Sequence, residues 1–375
     1  MHAVALYTRI GPVRRRTVEN EKHMLSALLE VNDLRVEFDT YGGTVQAVRG
    51  VSFSLDKGKT LAIVGESGCG KSVTVQSIMG LIPMPPGRIT RGTAMLDGVD
   101  VIAEKKIDGR DIRGRLVGMI FQDPMTSLNP TMTIGDQIAE TLQVHRGMSH
   151  RAAFSRAIEL IDMTRIPEAA KRARQYPFEF SGGMLQRSMI AMSLACEPLI
   201  LVADEPTTAL DVTIQAQILD LMGDLQRERG MAIILITHDL GVVARMADEV
   251  LVMYAGEVVE KGGVDDVFYR SAHPYTLGLK AAMPSNRDDS AQELTPIDGS
   301  PPDLFAPPLG CGYFARCPYA MQACEDNHPE SFDLHADHFA RCWLHHESCD
   351  AKAADVFRKA AATAPETRPF RPDDL

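Results

Sequence analysis

Gly65-Glu66-Ser67-Gly68-Cys69-Gly70-Lys71-Ser72 decides the fold, because it follows the apolar run Leu61-Ala62-Ile63-Val64 and has the spacing of a loop that cradles phosphate. Its glycines let successive backbone N–H groups face inward, and a helix beginning near Lys71 adds the positive end of its dipole. Lys71 is expected to reach the β- and γ-phosphates of a nucleotide and Ser72 to coordinate Mg2+, with the contacting stretch running on to Val73. Such a loop serves many chemistries, so the residues arranged around it carry the rest of the reading.

Three further apolar runs have the length and branching of buried parallel strands: Leu116 to Phe121, Leu199 to Val202, and Ala232 to Ile236. They end in Gln122, in Asp204-Glu205 and in Thr237-His238. In an open α/β sheet the carboxyl ends of parallel strands meet at one crevice, where ligands bind. A single polar residue after a strand is an ordinary loop start; four such ends in this order predict one nucleotide site. Asp204 is expected to face the Mg2+, partly through water, and Glu205 to orient and deprotonate the attacking water.

Between Gln122 and Ser181 the pattern turns helical, at Ile134 to Leu142 and again at Ala152 to Met163. A helical insert between two strands is expected. It ends at Ser181-Gly182-Gly183, where a serine N-cap and two glycines expose backbone donors at a helix start, a second anion site. In one compact fold that site cannot reach the first cradle, so it looks made for a nucleotide bound across a dimer. Met119, Met125 and Met132 either line a groove on this insert or pack the core.

At 375 residues and 45% hydrophobic, the chain holds material for one large core plus a smaller module. A net charge of -11 offers no field for a polyanion, which argues against nucleic acid as a partner. No apolar run has the length of a membrane helix. Met1 to Met24 reads as a loose extension, with Met24 an alternative start, and seven cysteines without a secretory signal point to a reducing compartment.

The motifs together resemble the ATP-binding cassette family over about residues 28 to 260: the P-loop, Gln122 as Q-loop, Ser181-Gly182-Gly183-Met184-Leu185-Gln186 as signature, Asp204-Glu205 as Walker B, Ala209-Leu210-Asp211 as D-loop and His238 as switch. The commoner signature has Gln where Met184 stands, a change that leaves the backbone donors intact. The resemblance implies an α/β P-loop NTPase that hydrolyses ATP with Mg2+, Gln122 joining Ser72 and Asp204 at the metal and His238 assisting Glu205. It also implies a head-to-tail sandwich in which Ser181 and Gly183 contact ATP held by a partner's P-loop, and an adenine stacked on an aromatic, for which Tyr41 is best placed unless it is a turn tyrosine packed on the edge of the sheet. Cys69 is either a thiolate stabilised by the phosphate-site donors or a thiol shielded by backbone.

From Asp204 to Gln217, and then in Met253-Tyr254-Ala255-Gly256 and His273-Pro274-Tyr275-Thr276, the chain is similar to the ATPase subunits of peptide and nickel importers. The resemblance implies a peripheral subunit on the cytoplasmic face of the membrane that powers import of short peptides, with nickel or glutathione as alternative cargoes. Its partners would be a second ATPase, a copy or a related chain, two membrane-spanning permeases and, indirectly, an extracytoplasmic binding protein. A soluble ATPase machine and a purely regulatory module are the rival readings; a single cassette speaks against the first and intact Glu205 and His238 against the second.

Cys311, Cys317, Cys324 and Cys342 lie among prolines and aromatics in a stretch with little apolar periodicity. Four thiolates suit tetrahedral zinc or an iron–sulfur cluster, and buried structural thiols are the third option. Members of the resembling group carry this arrangement around a [4Fe–4S] cluster, and Cys349, His345 and His346 are spare ligands. The expected division is an N-terminal extension over 1–27, an ATPase domain over 28–270 with the helical subdomain at about 124–183, a Cys-rich extension over 271–349 and a mobile tail over 350–375.

Overall fold

The computed structural model of the chain describes residues 27–103, 112–208, 210–282, 296–335, 337–349 and 351–363. The N-terminal extension, apart from Ala27, and Ala209 of the D-loop lie outside these residues. Two sheets organise the described residues. The larger has eight strands, and its centre holds the four expected runs: β3 (Thr60–Val64), β6 (Val117–Ile120), β7 (Ile200–Asp204) and β8 (Ala232–Ile236). Every residue of these four strands is buried, which is why they are unbroken apolar runs rather than alternating ones.

The strand order is β9-β3-β8-β7-β6 through this centre, with β9 (Glu249–Tyr254) parallel to β3. β10 (Glu257–Gly263) then turns back antiparallel to β9, and β12 (His338–Ala340) and β11 (Phe332–His335) extend the edge. The C-terminal segment is therefore not a separate bead. Two of its strands continue the same sheet, with Glu260 opposite Ala340 and Lys261 opposite Phe339.

The smaller sheet, β2-β1-β4-β5, is antiparallel and spans β1 (Leu29–Thr40), β2 (Gly43–Leu55), β4 (Gly87–Leu96) and β5 (Val99–Asp100). Along β1 the buried Leu29, Val31, Leu34 and Val36 are interleaved with residues facing solvent, the signature of a sheet with one wet face. Helix α1 (Lys71–Ile78) lies between the sheets, and its Val75 and Ile78 join Leu29, Val36, Leu61, Ile63 and Ile234 in one core. The start of α1 is the end of the phosphate loop, so that core fixes where the loop points.

Between β6 and β7 the described chain is helical, chiefly α2 (Ile134–Arg146), α3 (His150–Met163) and α4 (Gly182–Ser193). Thr133 and Ser149 cap the first two helices, and Gly147 closes α2 in the left-handed conformation. Ile134, Ile138, Leu142, Ala157, Leu160 and Ile161 form their own apolar cluster, closed by Leu185 of α4. Two more helices matter below: α5 (Val212–Arg229) and α6 (Pro274–Ala281).

One expectation is corrected. Residues 351–363, read as part of a mobile tail, form helix α7 (Ala351–Thr363), and Phe357 on it is buried against Cys342 and Leu344. Its ring meets Tyr319 edge-on at 5.4 Å. The charged residues around Phe357 hid an amphipathic pattern whose apolar face needed a distant partner. Phe357→Ala should remove about 3 kcal/mol of packing and detach α7. Limited proteolysis should then cleave within 351–363 well before the rest of the chain; unchanged protection would contradict the docking.

Candidate active site

The strand ends meet in register. Ile63 pairs with Ile236, Ile236 with Asp204, and Ala203 with Ile120, so the residues that follow these strands emerge side by side. Gly65 sits at φ 151, where a Cβ would lie 2.2 Å from the Met253 carbonyl oxygen, and Gly70 caps α1 in the left-handed region at φ 99. Lys71 is buried at 7% exposure. Its Nζ donates to the carbonyl oxygens of Gly65 at 2.7 Å and Glu66 at 2.9 Å, holding the ammonium over the loop.

Ser72 Oγ donates to Asp204 Oδ1 at 3.1 Å. Burial raises the Asp204 carboxyl above its ordinary value, against the opposing pull of the Ser72 hydrogen bond. Glu205, the next residue, is in the left-handed region at φ 48, a conformation costing a non-glycine residue about 1 to 3 kcal/mol. Its N–H donates to the Ile236 carbonyl at 2.8 Å, so the neighbouring strand holds the turn in place.

Three side chains converge on the Glu205 carboxylate. Gln122 Nε2 donates to Oε2 at 3.0 Å, Thr208 Oγ1 donates to the same oxygen at 3.0 Å, and His238 Nδ1 meets Oε1 at 3.1 Å. Burial pushes the Glu205 carboxyl up, but the His238 and Thr208 hydrogen bonds with the nearby His238 and Lys71 charges outweigh it and set the carboxyl below its usual range. At neutral pH it is ionised and able to accept a proton from water. Thr208 is the site residue that sequence reasoning missed; a hydroxyl three residues after the glutamate was its only signal.

Lys71, Ser72, Gln122, Asp204, Glu205 and His238 are thus brought to one place. Ser181, Gly182 and Gly183 are not among their hydrogen-bond partners: Ser181 Oγ caps α4 by accepting from Met184 N–H at 3.4 Å and is exposed. Ile214 of α5 crowds Gly183, where a Cβ would come within 2.9 Å of its Cγ2. Met184 packs against the apolar cluster of the helical segment, which suits an apolar residue at that position. Tyr41 is fully exposed at the turn between β1 and β2, where the following Gly42 and Gly43 lie against the Phe305 ring.

The four C-terminal cysteines line one narrow pocket with His273, Tyr313, Phe314 and Leu344. Burial pushes the Cys311 thiol up to about 11 and that of Cys317 up to about 12, and raises Cys342 as well, each reinforced by the neighbouring cysteines. The spare ligands lie elsewhere: His345 Nε2 bonds the Ala272 carbonyl at 2.7 Å, and Cys349 Sγ is 3.8 Å from Met321 Sδ. Among the described residues, Asp266, His335 and His338 bring three ligand atoms within 4.8 Å of one another. That trio is an ion-pair network, since Arg270 and His335 occupy Asp266 and Glu260 takes His338.

Family models match twice, an ABC transporter model over residues 48–208 and the C-terminal region of oligopeptide/dipeptide transporters over 259–324. The chain is 56% identical to the oligopeptide transport ATP-binding protein OppD of Bacillus subtilis over 86% of its own length and 90% of that protein. It is 54% identical to the dipeptide transport ATP-binding protein DppD of the same organism, over 85% and 95%. Among solved structures it is similar to a dimeric post-hydrolysis state of the ATP-binding cassette MJ0796 bound to ADP and Pi, with a TM-score of 0.57 at 27% identity over 63% of this chain and 98% of that one. A cassette from Clostridium perfringens, cbiO1 of the cbiONQ complex, matches with a TM-score of 0.55 at 27% identity, over 65% and 91%.

Of the two readings of Cys69, the structure favours the shielded thiol: it is 5% exposed, and burial raises it above the ordinary 9.0 despite nearby Lys71. Its alkylation in the folded protein should therefore be much slower than in urea and still climb above pH 9.0. Fast labelling at neutral pH, read by peptide mass spectrometry, would contradict this burial.

Proposed function

The chain belongs to the ABC transporter ATP-binding subunits with an oligopeptide/dipeptide-type C-terminal region, and from that premise we propose how its residues power the import of short peptides through a separate membrane pair. It is an ATPase. The observation that carries the reading is the convergence of Gln122, Thr208 and His238 on an ionised Glu205 beside Ser72, Asp204 and Lys71. Phosphoryl transfer asks mainly for positioning and charge neutralisation, and these residues offer both.

In this reading the backbone from Gly65 to Val73 wraps the phosphates, and Lys71 Nζ exchanges the carbonyls of Gly65 and Glu66 for phosphate oxygens. Ser72, Asp204 and the Oε1 of Gln122 are the oxygen donors for Mg2+, which supplies charge neutralisation at the β- and γ-phosphates. Glu205 takes a proton from the attacking water while Thr208 and His238 hold its carboxylate. Tyr41, exposed at its turn, stacks on adenine.

Ser181, Gly182 and Gly183 reach the γ-phosphate of ATP on a facing cassette, which is why their donors are presented to solvent. That second ATPase is a copy of this chain or a related one. The ATPase part is taken as 28–270, with 124–183 as the helical subdomain, and 271–349 as the Cys-rich extension. The two permease subunits dock at Gln122 and the helical segment, where Phe121 and Met125 are exposed; Met119 belongs to the core instead. No helix of the described residues is long and apolar enough to cross a membrane, in keeping with a peripheral subunit on the cytoplasmic face. The oligopeptide and dipeptide names of the relatives favour peptides over nickel or glutathione as cargo.

The pocket of Cys311, Cys317, Cys324 and Cys342 is read as the seat of a [4Fe–4S] cluster. Four thiols lining one pocket match the four cysteine ligands that such a cluster takes. Bound iron would also offset the burial and mutual repulsion that keep the thiols protonated.

Glu205→Gln should cut turnover on the order of a hundredfold or more while ATP binding persists and the closed dimer accumulates, as read by ATPase assay and gel filtration. Near-normal hydrolysis would move the base elsewhere. Protein purified without oxygen should contain iron and acid-labile sulfide that Cys317→Ser reduces; stoichiometric zinc, or no metal, would exclude the cluster.

A further inference from the structure

Arg316 sits one residue before Cys317 and reaches out of the cysteine-bearing segment to the phosphate loop. Its side chain is only 6% exposed. Nη1 donates to Glu66 Oε2 at 2.8 Å and Nη2 to Glu66 Oε1 at 3.0 Å, a bidentate fork on one carboxylate. Two further bonds fasten the guanidinium to its own segment, Nε to the Asp298 carbonyl at 2.8 Å and Nη2 to that of Ile297 at 3.0 Å, and Nη1 also donates to Tyr254 Oη at the end of β9 at 3.2 Å. The cation also lies over the rings of Tyr254 at 5.8 Å and Tyr313 at 6.0 Å.

A second grip comes from the His-Pro-Tyr segment. The fully buried Tyr275 accepts the Glu66 backbone N–H at 2.8 Å through its hydroxyl. Tyr275, Tyr254 and Tyr313 pack on one another with centroids 4.5 to 5.4 Å apart, so both grips stand on one rigid aromatic base. Glu66 is held at side chain and backbone alike, while its carbonyl carries the Lys71 ammonium at 2.9 Å. The phosphate chemistry itself makes no use of a carboxylate at this position; the contact to Arg316 does.

We propose that Arg316 is a positioning residue for ATP: its fork on Glu66 sets the shape of the phosphate loop, so nucleotide affinity depends on the folded cysteine-bearing segment. The inference rests on reading 65–72 as the ATP cradle. It adds a route by which a change in the cysteine pocket, one peptide bond from Arg316, reaches the nucleotide.

The test is a mutant cycle on the full chain in its assembled transporter, reading ATP KM against kcat, with ATP affinity measured directly by fluorescence titration. Glu66→Gln leaves Arg316 its carbonyl and tyrosine partners, so folding is spared; Arg316→Lys removes the fork. Each should raise the KM and Kd for ATP on the order of tenfold, with a smaller change in kcat, and the double variant should be no worse than the weaker single one. Cys317→Ser should weaken ATP binding in the wild-type background and add nothing once Glu66→Gln is present. Unchanged affinity in both single variants, or multiplicative effects in the double, would overturn the proposal. Lys71→Ala separates the two levels: if it binds ATP normally, the reading of the cradle has failed, whereas its loss of binding alongside indifferent Arg316 variants would refute only the role given to Arg316.

Discussion

The register of the parallel ladder is the constraint on which the site depends. Backbone pairing sets Ile63, Ile236 and Asp204 in one row, with Ile120 opposite Ala203, so four loops leave the sheet at nearly the same height. A slip of one residue would turn each buried side chain to the other face and pull Glu205 from the Ile236 carbonyl that holds its left-handed turn. The strands are buried on both faces, so apolar packing and hydrogen bonding specify the same register.

Within that frame the charges are already compensated. Lys71 rests on two loop carbonyls, Asp204 takes a hydroxyl, and Glu205 is surrounded by an amide, a hydroxyl and an imidazole. These are the kinds of donor and acceptor that phosphate, metal and water bring, so binding exchanges partners without exposing bare charge. The opposite shifts of adjacent carboxyls separate their roles: buried Asp204 is pushed up and suits a metal, while Glu205 is held down and suits a base.

The meeting of Lys71, Ser72, Gln122, Asp204, Glu205 and His238 was legible in the sequence, because each of its parts is local. A phosphate loop, a strand ending in Asp-Glu and an unbroken apolar run are each written within a few consecutive residues. What escaped reading depends on distant contacts. The antiparallel sheet of β1, β2 and β4 alternates in polarity, but β1 pairs with residues up to 67 positions away and its bulges blur the period. Thr208 gains its role only once Glu205 has turned through a positive φ. Helix α7 needed Tyr319 and Leu344 beneath Phe357, and Arg316 needed Glu66, 250 residues earlier. The choice between a reactive and a shielded Cys69 rested on burial, which spacing alone does not report.

The two glycines after Ser181 start a helix whose exposed serine cap shares no hydrogen bond with the groups around Glu205. In the function proposed above, one cassette supplies the base, the cation and the metal donors but lacks the second set of phosphate donors, and two cassettes facing head to tail complete each other. The most direct measurement is an electron-cryomicroscopy structure of the assembled transporter trapped with Mg-ATP. The account predicts each nucleotide clamped between the loop at 65–72 of one cassette and the Ser181 helix start of its neighbour; a hydrolysis-competent complex whose Ser181 to Gly183 donors point into solvent would contradict it.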